Sequence, residues 1–309
     1  MIRLGVVIIN KLLLIYNPVA GEGAFKDNLD RVIYLFQQKG FRVVVHRTYP
    51  HDNLDGVIRE MCESVDMVVA AGGDGTVNSV VNCMLKSSTK ELPLGIIPAG
   101  TSNDLINHLK LPSNLNAAVD IIGRREIAYV DVGEVNGGYF VNVVSGGLMM
   151  DVPHSTNIKL KNIAGRLAYY LKGLEQLPHI KPAPIHISFP EGRLEDEVLL
   201  FIVLNGSIAG GFKNLAPLAS MTDGKLDLLV FKPVPISKLV SLFLKILKGE
   251  HVKDASLIYL QTPGPITISG GNDVSTDIDG EKGPGLPMEI KVLAGRVPVF
   301  VKSKGGLST

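Results

Sequence analysis

The chain has 309 residues, of which 46% are hydrophobic and 20% charged, and its formal net charge is +1. That length supports two domains and a large core, the apolar content excludes a disordered chain, and the charge balance excludes a global field that would recruit nucleic acid. Cys62 and Cys83, the only cysteines, exclude a disulfide scaffold and a metal-thiolate site, and fit a reducing, cytoplasmic setting. Met1 to Leu14 is broken by Arg3, Asn10 and Lys11 with no small-residue cleavage site, so no signal peptide is expected. No apolar stretch approaches the roughly eighteen residues that a spanning helix needs.

Lys11 to Tyr16 reads as a buried strand that runs into the turn Asn17-Pro18-Val19-Ala20-Gly21-Glu22-Gly23. Leu29, Val32, Ile33, Leu35 and Phe36 then recur at helical spacing, which predicts a helix from Gly21 to Lys39 closed by Gly40. Phe41 to His46 is the next strand, with Thr48 just past its end. A helix over Leu54 to Cys62 leads to a strand over Val65 to Val69, the turn Gly72-Gly73-Asp74-Gly75-Thr76, and a helix over Ser79 to Leu85. Leu94 to Ile97 is a further strand, followed by Pro98-Ala99-Gly100-Thr101-Ser102-Asn103-Asp104 and helices over Leu105 to Leu109 and Leu115 to Ile122, the second ended by Gly123. This β-α-β-α-β order predicts a parallel sheet.

After Arg125 the pattern changes to short, alternating, β-rich segments: Tyr129 to Val135, Gly138 to Val144, Ile185 to Phe189, Val198 to Leu204, Leu226 to Phe231, Ile266 to Ile268 and Met288 to Val292. They predict antiparallel sheet, interrupted by helices over Ala164 to Leu177 and Ile236 to Leu247. The expected division is therefore residues 1–125 as an α/β domain and 126–295 as a β domain.

Three glycine turns at the carboxyl ends of three apolar strands would converge on one crevice of an open α/β sheet. Glycines let the backbone approach a ligand closely, and amides at a helix start point toward an anion, so phosphate is the natural occupant. A single such turn would be read as a tight connection with Asp74 and Thr76 as caps. The set of three is more specific.

Asn17-Pro18-x-x-Gly21, Gly72-Gly73-Asp74-Gly75-Thr76 and Pro98-x-Gly100-Thr101-x-Asn103-Asp104, in this order, resemble the catalytic domain of diacylglycerol-kinase-type lipid kinases. Asn205-Gly206, Gly210-Gly211-Phe212, Ala216-Pro217-x-Ala219, Asp223-Gly224-x-Leu226-Asp227 and Asp279-Gly280-Glu281 extend the likeness to that family's bacterial soluble members. The resemblance implies an N-terminal nucleotide domain related to phosphofructokinase and NAD kinase, a C-terminal antiparallel β-sandwich, and an active site between them. It also implies that the last strand, Pro298 to Val301, returns to the first domain, which would add 296–309 to it.

The resemblance implies an ATP site at Asn17, Pro18, Gly21, Gly72, Gly73, Asp74, Gly75, Thr76, Asn78, Thr101, Asn103 and Asp104, with Thr48 near the ribose. Phosphoryl transfer is mostly positioning and charge neutralisation, which suits amides plus carboxylate-held Mg²⁺. Asp74 is the candidate ligand of the catalytic Mg²⁺, with Asp104 assisting through water, although each could instead cap a helix. A structural Mg²⁺ site is implied at Asp223 and the carbonyls of Ser220 and Lys225, with Asp131 linked through water; oxygen donors in a turn suit a hard cation. On residues alone, Asp223-Gly224 is a hairpin signal. Asp279 and Glu281 are candidates for the general base, pointing to one face if the segment is extended, so spacing does not choose between them.

The expected reaction is transfer of the ATP γ-phosphate to a lipid hydroxyl, with diacylglycerol the default acceptor. Two alternatives are an NAD kinase and a nucleotide-binding module without chemistry. A transient, peripheral membrane encounter is expected through Leu148, Met149 and Met150, preceding Asp151, and the cluster Lys159, Lys161, Arg166 and Lys172, which could equally be core and solvated surface. Exposed β edges make a homodimer the expected assembly.

Overall fold

The computed structural model describes residues 10–23, 25–147, 182–271 and 274–302. The expected helix over Ala164 to Leu177, the Leu148 to Met150 stretch and the cluster Lys159, Lys161, Arg166 and Lys172 lie outside the described residues. The chain divides into two units, one of Met1–Val130 with Gly295–Thr309 and one of Asp131–Ala294.

In the first unit, β1 (Asn10–Tyr16), β2 (Phe41–Arg47), β3 (Met67–Gly72) and β4 (Leu94–Pro98) are parallel in the order β2-β1-β3-β4. Leu12 pairs with both Val43 and Met67, which sets the register of the three strands. All six residues of β3 are buried, as a central strand covered on both faces requires. Helices α1 (Leu29–Gln38), α2 (Leu54–Met61), α3 (Asp74–Ser87), α4 (Asp104–His108) and α5 (Leu115–Arg124) fill the crossovers. Val32 and Phe36 of α1 and Val119 and Ile122 of α5 share one core with Leu12, Leu14 and Val69 of the sheet.

Several boundaries differ from the sequence reading. The helix expected from Gly21 begins at Leu29, after short 3₁₀ turns at Ala20–Gly23 and Lys26–Asn28. Gly21 has φ +58°, outside the helical region, so the turn interrupts the periodic pattern. The strand expected to stop at Val69 runs on to Gly72, and α3 starts five residues before Ser79, at Asp74. Gly123 does not end α5: Arg125, in the left-handed region at φ +61°, does, and Gly123 lies inside the helix against the Lys39 side chain. Gly40, at φ +80°, closes α1 as expected.

The second unit holds two antiparallel layers. One contains β13 (Ile266–Gly270) between β8 (Ala183–Phe189) and the start of β16 (Met288–Phe300), with β9 (Gly192–Val198) outside β8. The other has six strands in the order β12-β11-β10-β7-β14-β15: Leu257–Thr262, Leu226–Phe231, Leu200–Leu204, Val143–Gly147, Thr276–Ile278 and Glu281–Lys282. Ile185, Ile187, Ile266 and Ile290 from the first layer share a core with Phe201, Val203, Leu228 and Val230 from the second, so this is a β-sandwich. Alternation along β11 sends Leu229 and Phe231 to the opposite face, where they pack with Leu242 of α6 (Ile236–Lys248).

Strands β5 (Ile127–Val135), which pairs with β6 (Gly138–Phe140), and β16 each run through both divisions of the chain. Val299, near the end of β16, pairs in parallel with Leu94 of β4, so the last strand does join the α/β sheet. The strand expected over Val198 to Leu204 is the end of β9 and the whole of β10, and that expected over Gly138 to Val144 is split into β6 and β7.

Candidate active site

The chain leaves β1 toward β2 on one side and returns as β3 on the other, so the carboxyl ends of β1 and β3 flank the crevice where ligands of open α/β sheets bind. Asn17 stands there. Its backbone amide donates to the Ala71 carbonyl at 3.0 Å and its Nδ2 to Thr76 Oγ1 at 3.3 Å. Thr48, just past the end of β2, donates through both its amide, at 3.0 Å, and its Oγ1, at 3.3 Å, to the carbonyl of Tyr16 at the end of β1. Pro18 is buried beside Asn17.

The three glycine turns touch through their backbones. A Cβ on Gly21 would lie 2.2 Å from the Ala99 carbonyl oxygen, and one on Gly100 would lie 2.4 Å from the Cα of Gly73. A Cβ on Gly72 would meet the Thr76 side chain at 2.4 Å. No side chain larger than hydrogen fits these positions without a shift of the turns. Asn103 braces the third turn: its Oδ1 accepts from the Gly100 amide at 3.1 Å and its Nδ2 donates to the Gly100 carbonyl at 2.8 Å. The φ of +50° at Asn103 is one that asparagine tolerates better than most residues.

Asp74 couples the second and third turns. Its Oδ1 accepts from the Asp104 backbone amide at 2.6 Å, so it caps α4 rather than its own helix. Gly73 precedes α3 without a side-chain capping bond, and the helix start therefore presents backbone amides and the positive end of its dipole. Burial pushes the Asp74 carboxyl above its ordinary value, opposed by the amides of Asp104 and Asn103. Asp104 is itself buried, whereas Gly75 and Thr101 are exposed. Asn78 lies one turn into α3, where its Oδ1 and backbone carbonyl accept from Asn82 Nδ2 at 2.9 and 3.1 Å. It belongs to the helix wall more than to the turn.

In the second unit the acidic motif is a hairpin rather than an extended segment. Asp279 and Gly280, at φ +50° and +89°, form the two-residue connection between β14 and β15, with Ile278 paired to Glu281. The expectation that both carboxylates point to one face fails for that reason. Asp279 turns back to the chain between β6 and β7, its Oδ2 accepting from the Val141 amide at 2.7 Å and its Oδ1 from the amides of Asn142 at 3.0 Å and Val143 at 2.8 Å. Glu281 is exposed on β15.

The Asp223 turn is built on Asp131. The Asp131 Oδ2 accepts from the Gly224 amide at 2.7 Å, its own amide donates to the Met221 carbonyl at 2.7 Å, and Asp223 Oδ1 accepts from the Lys225 amide at 3.1 Å. Burial, and after the backbone the nearby charge of Asp131, raise the Asp223 carboxyl. Ser220 Oγ and Thr222 Oγ1 are 3.2 Å apart across the start of this turn. Asn205, fully buried, ties β5 to the chain between β6 and β7 by donating to the carbonyls of Asp131 at 2.7 Å and Val141 at 2.9 Å. Among the described residues no three His, Cys, Asp or Glu side chains gather as a metal centre, so any cation here depends on carbonyl oxygens as well as carboxylates.

Gly100, Asn205, Asn142 and the 141–143 amides were not among the site residues expected from the sequence. The glycine in Pro98-x-Gly100 and the dipeptide Asn205-Gly206 were the available signals. The 141–143 amides had none, because backbone donors leave no trace in residue type.

A family model described as the diacylglycerol kinase catalytic domain matches residues 11–135, and one described as the YegS C-terminal NAD kinase beta sandwich-like domain matches residues 142–301. A diacylglycerol kinase of Bacillus subtilis is 34% identical over 282 residues, covering 89% of this chain and 91% of its own length. One of Staphylococcus saprophyticus is 35% identical over 289 residues, covering 93% and 94%. A crystal structure of a diacylglycerol kinase from Bacillus anthracis superposes with a TM-score of 0.75 at 26% identity, covering 95% of this chain and 97% of that one.

Proposed function

We propose that this chain, which belongs to the diacylglycerol kinase catalytic-domain family, transfers the γ-phosphate of ATP to the hydroxyl of diacylglycerol and releases phosphatidic acid. It is an ATP-dependent lipid kinase; the acceptor and the residue roles below are the proposal. The observation that carries it is the packing of three glycine turns backbone to backbone at the switch point, tied by Asp74 to the start of α4.

Asn17, Gly21, Gly72, Gly73, Gly75, Thr76 and Thr101 would cradle the phosphates, mainly through amides at the start of α3, and Thr48 would meet the ribose. The residues fit Mg²⁺. Asp74 is a partly buried carboxylate with one oxygen committed to an amide, and Asp104 starts the adjoining helix. At the second site, Asp223 and Asp131 sit close enough for one charge to perturb the other, which a hard cation held also by the Ser220 and Lys225 carbonyls would relieve. Mg²⁺ bound at Asp74 would supply neutralisation of the charge that develops on the transferring phosphoryl group.

Of the two candidate bases, the geometry favours Glu281. The amides of Val141, Asn142 and Val143 engage both oxygens of the Asp279 carboxylate, which ties its own hairpin to the chain between β6 and β7. Its role is to fix the hairpin. Glu281 is exposed and takes the proton of the lipid hydroxyl as that oxygen attacks phosphorus.

Phosphate transfer from radiolabelled ATP to a panel of lipids in mixed micelles tests the acceptor. Diacylglycerol is expected to be labelled well above sphingoid, phosphatidylglycerol and isoprenoid alcohols, and preference for any of those would replace it. Among the described residues no helix is long and apolar enough to cross a membrane, in keeping with a proposed peripheral, transient encounter with the lipid surface from a cytoplasmic site. A homodimer is proposed from the β-sheet edges, and sedimentation equilibrium checks it.

A further inference from the structure

Helix α6, Ile236–Lys248, has three kinds of stripe where an ordinary surface helix has two. Leu239, Leu242 and Ile246 pack into the core beneath the sheet, and the Phe243 ring meets Phe212 edge-on at 6.0 Å. Val240, Leu244 and Leu247, spaced i, i+4, i+7, line a second edge, with Leu244 43% and Leu247 47% exposed. Lys238, Ser241, Lys245 and Lys248, spaced i, i+3, i+7, i+10, line a third, and Lys245 is held at 2.5 Å by Asp254. The helix contains no acidic residue. Burial in the sandwich accounts for the first stripe only.

We propose that this outward face of α6 is a docking surface for an anionic lipid bilayer, with the leucine edge dipping among headgroups and the lysine edge pairing with their phosphates. An apolar edge beside a basic edge is the pattern of helices that lie in a membrane interface, and charge complementarity selects an anionic leaflet over a neutral one. Lys238 and Lys248 are the exposed cations of that edge, Lys245 being paired with Asp254, and they flank the two exposed leucines. The proposal rests on the lipid-kinase reading, because an acceptor carried by a bilayer gives the enzyme a reason to dwell at its surface.

Vesicle sedimentation tests it with the full chain, using phosphatidylglycerol–phosphatidylcholine vesicles and pure phosphatidylcholine vesicles. Each lysine near an anionic surface strengthens attachment about five-fold, so Lys238→Gln with Lys248→Gln is expected to weaken binding to the mixed vesicles about 25-fold and to flatten its salt dependence. Leu244→Gln with Leu247→Gln is expected to weaken binding in high salt as well. Both variants should match the parent in unfolding midpoint and in turnover of a short-chain, water-soluble diacylglycerol, since neither touches the site. Parent-like vesicle binding by both variants overturns the proposal. So does a change of oligomeric state in the leucine variant, which would give the face to a second copy of the chain. If instead the parent fails to phosphorylate the soluble diacylglycerol while its vesicle binding behaves as stated, the acceptor assignment falls and the docking surface stands.

Discussion

Replacing Asp74 separates its two duties. Its Oδ1 accepts the Asp104 amide at 2.6 Å and starts α4, while its charge is the proposed seat of Mg²⁺. Asp74→Asn keeps an oxygen at the cap and removes the charge; Asp74→Ala removes both. Loss of a side-chain cap costs about 1 kcal/mol, up to about 2, so the alanine variant should unfold at lower urea by that amount. The asparagine variant should not. Burial raises the Asp74 carboxyl in the fold, and a carboxyl with a raised pKa costs stability once pH exceeds the ordinary carboxylate range, so a neutral amide at that position relieves a small penalty at neutral pH. Both variants should lose transfer by at least about 10³-fold, because a metal clamp on the phosphoryl group contributes several kcal/mol to the barrier. Single-turnover transfer from labelled ATP gives the rate and urea titration gives the stability. An asparagine variant that keeps more than about a tenth of the parent rate would remove the charge from the mechanism. One destabilised as far as the alanine variant would remove the cap.

Further outcomes can be checked on single variants and on the parent chain. Glu281→Gln should lower kcat about 10²- to 10⁴-fold with unfolding within about 0.5 kcal/mol of the parent, whereas Asp279→Asn should lose about 2 kcal/mol of stability because its Nδ2 cannot accept from the backbone amide that an Asp279 oxygen now serves. Gly100→Ala would place a Cβ 2.4 Å from the Gly73 Cα, and the overpacking should cost about 1–3 kcal/mol in urea unfolding and weaken ATP binding in a fluorescence titration. Burial, followed by the Asp55 carboxylate, pushes the Cys83 thiol up to about 12, so it should not react with a thiol reagent at pH 8 until denaturant is added. A thiol raised in the fold also ionises first in the unfolded chain, so its contribution to stability falls as pH rises past about 8.5.

The sequence made the local pieces of this site readable because they are local. An apolar strand, a glycine turn and a helix occur three times within the first 110 residues, and each was visible from composition and period alone. What lay beyond reach was determined by partners distant in the chain. The capping bond of Asp74 spans 30 residues and skips its own helix, so the start of α3 could not be fixed by looking for a conventional capping side chain. Asp279 is held by amides 136 to 138 residues away, and only that contact distinguishes it from Glu281 two positions on. In the sandwich, β9 and β12 are only partly buried and carry polar residues along one face, which hid them among the turns.

The activity is tested most directly by the transfer of label from γ-labelled ATP into an organic-extractable lipid by the purified chain, with diacylglycerol micelles, with NAD in their place, and with each reaction repeated in excess chelator. Labelled phosphatidic acid is expected, which disappears with chelator, returns with added Mg²⁺, and has no counterpart in labelled NADP. Label in NADP, or no label in any lipid under conditions where the protein is folded and binds ATP, would contradict that activity.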